Sequence, residues 1–133
     1  MESIFNITFD GNKKISAHIR EFTIHTDQTE KGGGENTAPS PLEHFLASIG
    51  TCAGFYVASF CQSRSIPTGN LSIVQTIFRN DETHMVDKIT LDIILPPDFP
   101  EKYKAAVIKA ADTCTVKKHL DSPPEITVET KTR

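Results

Sequence analysis

Three cysteines, Cys52, Cys61 and Cys114, are the residues of this chain best suited to do chemistry. The thiolate, not the thiol, is the nucleophile, so each is judged by what its surroundings would do to that proton. Cys52 and Cys61 stand in the apolar run ASIGTCAGFYVASFC, residues 47–61. At 100° per helical residue, Cys52 falls at the edge of the apolar stripe near Phe45, Tyr56 and Ser59, and Cys61, nine residues on, falls on the opposite side. The two cannot pair within one helix. Cys114 lies in TCTVKKHL, where Asp112 or Thr113 could cap a short helix. A sulfur in that first turn would face backbone N–H groups and the positive dipole end, both of which favour thiolate. Either Cys52 or Cys114 could be reactive. Cys61 reads as structural, because unpaired cysteine commonly serves as a small buried hydrophobe.

Other chemistry is poorly supplied. His18, His25, His44, His84 and His119 are scattered without His-x-x-x-His spacing and no Cys-x-x-Cys occurs, so no metal is implied. His44 and His119 read as surface or interface residues. KGGGEN lacks the Gly-Lys-Ser/Thr ending of a phosphate loop; its glycines are expected to shape a loop near the active site, with Asp27 capping a turn before it. The net charge is −3 over 133 residues and the pI about 5.9, with no basic run, so nucleic acid is not an expected partner. MESIFNITFDGNKK lacks a basic stretch followed by a long apolar one. No segment approaches the roughly 18 apolar residues of a membrane span. An odd cysteine number argues against a secreted disulfide framework. The chain is therefore expected to be cytoplasmic, a single domain over residues 1–133, with no membrane partner and no nucleotide or metal cofactor.

The elements that must position the thiols follow from periodicity. Phe5, Ile7 and Phe9 alternate with polar residues, DGN supplies a turn, and Ile15, Ala17 and Ile19 alternate again, which predicts a hairpin. Phe22 and Ile24 are out of phase with Ile19, so a bulge or bend near Arg20 and Glu21 is expected. After the loop DQTEKGGGENTAPS, Ser40 as N-cap, Pro41 at the first position and Glu43 in the first turn predict a helix ending near Arg64. Leu42, Phe45, Leu46, Ile49, Ala53, Tyr56, Val57 and Phe60 form its stripe and the remainder is mostly small, so burial nearly all round is expected. NLSIVQTIF and DKITLDIIL predict a second hairpin, EKYKAAVIKAAD a helix, TCTVKKHL a short helix, and EITVET a closing strand.

The run GGGENTAPSPLEHFLASIGTCAG, residues 32–54, followed about sixty residues later by TCTV, resembles the OsmC/Ohr family of small thiol-dependent hydroperoxide reductases. The likeness rests on a GG loop, Pro41 at the helix start, Cys52 eleven residues later, and Cys114 opening a later helical segment. It implies an α+β fold of two antiparallel sheets around central helices, in an intertwined homodimer with sites between subunits. It also implies that Cys52 attacks an organic hydroperoxide and becomes a sulfenic acid, that Cys114 resolves it as a disulfide, and that an unidentified thiol reductant restores the pair. An apolar pocket lined by Phe45, Tyr56 or Phe60 would favour organic peroxides. In the well-characterised peroxidases an acid directly follows the helix-start proline; here that position is Leu42 and the acid is Glu43, a P-x-E spacing similar to a less characterised branch. Glu43, nine residues before Cys52, falls on the opposite side of a straight helix. For the arginine that steadies the thiolate in those peroxidases, Arg20 is the candidate by location, with Arg64 or Arg79 as replacements.

Two further readings use the same scaffold. One is a binding protein for a small apolar ligand, marked by distant thiols and an enclosed pocket without arginine. The other is a redox sensor or assembly module, marked by exposure of Cys61.

Overall fold

A computed structural model describes all residues 1–133. The chain divides into two compact units, residues 1–47 and 48–133.

The first unit is a three-stranded antiparallel sheet with a loop and the first turns of a helix. Strands β1 (Asn6–Phe9) and β2 (Ile15–Ile19) pair with Phe9 opposite Ile15. The DGN turn joins them through Gly11 at φ 104° and Asn12 at φ 49°, the left-handed geometry that a tight reversal requires. No bulge follows β2. The chain reverses a second time within two residues, so that Ile19 pairs with Phe22 at the start of β3 (Phe22–Thr26). Arg20 takes φ 52° there, a conformation uncommon outside glycine, and its guanidinium lies 5.0 Å over the Phe22 ring. The phase slip read as a bulge is this reversal. Register puts Ile7, Phe9, Ala17, Phe22 and Ile24 on one face, where Ile7, Phe9 and Phe22 are more than half exposed. The other face is polar: Thr8, Ser16, His18 and His25 form a hydrogen-bonded chain with Asp10, which Thr8 and Ser16 both serve as donors.

The loop after β3 is built around Asp27, which has no surface exposed. Its carboxylate accepts the backbone N–H groups of Gln28, Glu35 and Thr37 and the Thr37 hydroxyl at 2.7 Å. The Thr37 hydroxyl, followed by those amides, outweighs burial and pulls the carboxyl down to about 2. Gly34 is obligatory beside it, because a Cβ there would lie 2.2 Å from the Gln28 carbonyl oxygen and 2.7 Å from Asp27 Oδ1. Ser40 and Glu43 then form the reciprocal cap of α1 (Pro41–Gln62): Ser40 N–H donates to Glu43 Oε1 at 3.0 Å and Glu43 N–H to Ser40 Oγ at 3.2 Å.

In the second unit α1 runs on and packs against strands β4 (Ser72–Arg79) and β5 (Val86–Ile94), an antiparallel pair with a bulge at Phe78 and Arg79. Helices α2 (Lys104–Asp112) and α3 (Thr115–Asp121) follow. Ala53, Val57 and Cys61 from α1, Phe99, and Val107 and Ala111 from α2 form the core, flanked by Ile73, Leu91, Ile93 and Leu95 of the hairpin. Burying a side chain such as Val107, with no surface exposed, contributes about 1.5–3 kcal/mol.

Three expectations are corrected. In the single chain α1 is buried along one stripe, Leu46, Ile49, Ala53, Val57 and Cys61, while Leu42, Phe45 and Phe55 remain exposed. By length and composition α1 is also long and apolar enough to cross a membrane, because its interspersed Ala, Gly, Ser and Thr do not offset its large apolar residues. EITVET forms no strand: residues 123–133 carry no regular structure, with Ile126 82% and Val128 92% exposed. Despite its alternating pattern, this segment pairs with none of the five strands.

Candidate active site

The second unit brings Cys52 and Cys114 together. The α1 stripe that buries Ala53 and Val57 leaves Cys52 half-buried beside it. After α2, Thr113 closes the helix by donating its N–H at 3.1 Å and its hydroxyl at 2.6 Å to the Ala110 carbonyl. The next residue, Cys114, is itself the N-cap of α3, where neither Asp112 nor Thr113 was placed by the chain: its Sγ accepts the Lys117 N–H at 3.4 Å. Lys117 reaches back to an ion pair with Asp112, tying α3 to α2. Cys114 is 2% exposed, and its Sγ lies 3.9 Å from the Ile49 carbonyl oxygen on α1.

This arrangement pushes the two thiols in opposite directions. Partial burial alone would raise Cys52, but the Val116 N–H, the Cys114 thiol and the Thr115 N–H all donate toward its sulfur, and the net effect lowers its pKa. Desolvation raises Cys114, and the neighbouring Cys52 sulfur, which prefers Cys114 as a protonated donor, raises it further against the Lys117 and Val116 amides. The surroundings thus make Cys52 the more acidic of the two thiols and Cys114 the less acidic. Beside them the Tyr56 hydroxyl lies 2.6 Å from Thr115 Oγ1.

The other candidate residues are placed as follows. Glu43 caps the first turn of α1 with Ser40, and Arg20 occupies the β2–β3 turn over Phe22. Arg64 is held 3.7 Å over the Phe60 ring and donates to the Phe60 carbonyl and Ser63 Oγ, and its charge bears on Cys61. Arg79 is exposed at the bulge in β4. Cys61 has no surface exposed, and burial pushes its thiol up, so it is a core residue. A groove of about 1010 Å³ reaches Cys114; its apolar wall is Ile49, Ile73, Leu91, Ile93 and Val107, not Phe45, Tyr56 or Phe60. Phe60 is instead packed edge-on against Tyr103, 5.7 Å between centroids. No group of three His, Cys, Asp or Glu side chains is arranged to hold a metal ion. The amides of Thr115 and Val116 had no signal in the sequence beyond a helix start near Cys114, since every residue but proline carries an N–H.

The description of the OsmC-like protein family matches residues 32–129, from the glycine loop through both cysteines. The chain belongs to the OsmC-like family. Solved structures agree on the fold. A Psychrobacter arcticus protein described as osmotic-stress-induced and of the detoxification response superposes at TM-score 0.75 with 20% identity, over 89% of this chain and 87% of its own. An OsmC-like protein of Mycoplasma pneumoniae gives 0.70 at 16% identity, over 92% and 89%. An organic hydroperoxide resistance protein OsmC from Legionella pneumophila gives 0.55 at 14% identity, over 90% and 89%. Among curated proteins none matches the sequence. The OsmC-like fold of two small antiparallel sheets with helices is thus the one the sequence resemblance implied.

Proposed function

We propose that this OsmC-like protein reduces organic hydroperoxides with Cys52 as attacking sulfur and Cys114 as resolving sulfur. One observation supports the reading: a half-buried Cys52, whose thiol its surroundings make more acidic, neighbours a buried Cys114 whose thiol they make less acidic. The Legionella pneumophila relative, an organic hydroperoxide resistance protein, points the same way. The Cys52 thiolate attacks the peroxide oxygen distal to the organic group, forming an S–O bond and breaking O–O; the alkoxide leaves and takes a proton from water. Cys114 sulfur then displaces hydroxide from the sulfenic acid, and with the thiol proton this leaves as water, giving a Cys52–Cys114 disulfide. Two electrons from an external thiol reductant restore both thiols. The second thiol protects Cys52 from irreversible oxidation.

Peptide mass spectrometry after one equivalent of an organic hydroperoxide tests this. A Cys52–Cys114 disulfide forming as peroxide disappears, and lost in Cys52→Ser, is the expected result. Three surviving thiols beside persisting peroxide would overturn it and favour ligand binding in the groove at Cys114. The sensor reading loses its mark, since Cys61 is buried.

The working form is proposed to be a homodimer. Ile7, Phe9 and Phe22 on one sheet face, Phe55 on α1, and Ile126 and Val128 in the tail are apolar residues more than half exposed in a single chain, and a second copy would cover them. Sedimentation at micromolar concentration should give twice the chain mass; a monomer would remove this part of the proposal.

A further inference from the structure

Thr115 touches the site through two of its atoms. Its N–H serves the Cys52 sulfur, and its Oγ1 lies 2.6 Å from the Tyr56 hydroxyl. Tyr56 stands on α1 four residues after Cys52, one turn along the same side of the helix. Its ring is half-buried and set edge-on to Phe55 at 5.2 Å between centroids, which limits how far the hydroxyl can wander.

The tie matters because α3 is weakly self-supporting. Seven residues are too few to make a stable helix alone, so contacts with neighbours decide where its first turn sits. Lys117 fastens α3 to α2 through Asp112. Toward α1, the long sulfur contact of Cys114 with the Ile49 carbonyl offers little restraint at 3.9 Å, and the oxygen-to-oxygen bond of Tyr56 and Thr115 is much shorter. Hydrogen bonds weaken steeply as distance and angle degrade, so the amides help Cys52 only while α3 keeps its seat.

We infer that Tyr56 is a positioning residue, a hydroxyl on α1 that seats the first residue of α3 so that the Thr115 and Val116 amides stay aimed at Cys52. The inference rests on Cys52 being the acidified thiol of the proposed function. Of the titratable groups on α3, Lys117 pairs with Asp112, His119 Nδ1 lies 2.7 Å from the Thr115 carbonyl oxygen, and Lys118 and Asp121 are exposed to solvent. The groups that favour the Cys52 thiolate are the two amides and the Cys114 thiol.

The test is the pH profile of Cys52 alkylation by iodoacetamide in the full chain, with the modified peptide identified by mass. Tyr56→Phe and Thr115→Val should each move the midpoint upward and slow alkylation at neutral pH roughly threefold to tenfold, the loss expected for one hydrogen bond. Thr115→Ser, which keeps the hydroxyl, should restore the wild-type midpoint. The double variant Tyr56→Phe/Thr115→Val should shift it no further than either single change, since both break one tie. Unmoved midpoints in variants that melt normally would overturn the inference, as would additive shifts. If Tyr56→Phe fails to fold, the Thr115→Val and Thr115→Ser pair decides by the same midpoint. Peroxide consumption is measured in parallel: shifted midpoints without wild-type peroxide consumption sink the peroxidase reading and uphold the role of Tyr56. Consumption with unmoved midpoints does the reverse.

Discussion

Asp27 and Cys52, one in each compact unit, are served by the same device: backbone amides, plus one side-chain donor, pointed at an acidic group. At Asp27 three amides and the Thr37 hydroxyl enclose a carboxylate with no exposed surface, and the result is a fixed loop. At Cys52 two amides and the Cys114 thiol leave the sulfur half-buried, within reach of a small molecule. Amides that lower a proton affinity therefore do not by themselves mark a reactive site. The difference lies in access and in the partner: Thr37 can only donate a hydrogen bond, whereas Cys114 can also form a covalent bond.

The sharpest way to break the comparison is to remove the proposed attacking sulfur. Cys52→Ser should drop peroxide consumption to the uncatalysed rate, because a serine hydroxyl is not ionised near neutral pH; Cys114→Ser should still consume about one equivalent with Cys52 then found as sulfenic acid by mass, and a second equivalent where Cys52 goes on to sulfinic acid. Residual turnover in Cys52→Ser would move the chemistry elsewhere. At the Asp27 end, Gly34→Ala should cost about 1–3 kcal/mol in denaturant unfolding, the range for a forced backbone shift. An unchanged midpoint would show that the loop gives way freely.

The carboxylate also has a pH signature. Because its folded pKa of about 2 lies below the ordinary 3.8, the unfolded state binds more protons between these values. Stability from Asp27 is thus complete above about pH 3.8 and fades as pH falls toward about 2. Asp27→Asn should flatten that part of the melting-temperature profile; a profile as steep as wild type would assign the acid sensitivity to other carboxylates. Smaller still, Cys61→Ala should cost about 1 kcal/mol, as for a single deleted heavy atom in a core, and leave peroxide consumption intact. Glu43→Ala should cost roughly 0.5–1 kcal/mol through the lost cap, with Glu43→Gln retaining most of it.

What was legible in the sequence follows from which features side-chain type encodes. Ser40, Pro41 and Glu43 announced the start of α1, and Ile89, Leu91 and Ile93 announced β5, because caps and alternation are properties of residue identity. Cys52 and Cys114 were singled out for the same reason, and their meeting required only that α3 fold back on α1. The donors at Cys52 were hidden, since an amide is common to nearly all residues and only tertiary packing aims it. The phase slip locates a bulge or bend at Arg20 and Glu21, but not that it is a tight β2–β3 reversal, because Arg20 supplies a positive φ that a turn usually assigns to Gly or Asn. The closing strand failed for the converse reason: β-propensity at Ile126 and Val128 acts only where a neighbouring strand exists.

The deep burial of Cys114 has a consequence for how the proposed cycle closes. Thiol–disulfide exchange requires the incoming thiolate to reach one sulfur of the bridge in line with the bond to be broken. With Cys114 2% exposed and Cys52 half-buried, a reductant would meet the proposed bridge at Cys52, the atom proposed to meet the peroxide before it. Oxidant and reductant then share one doorway and take turns, so their rates should obey ping-pong kinetics, with the reductant briefly joined to Cys52 while Cys114 departs as the thiol its surroundings already favour.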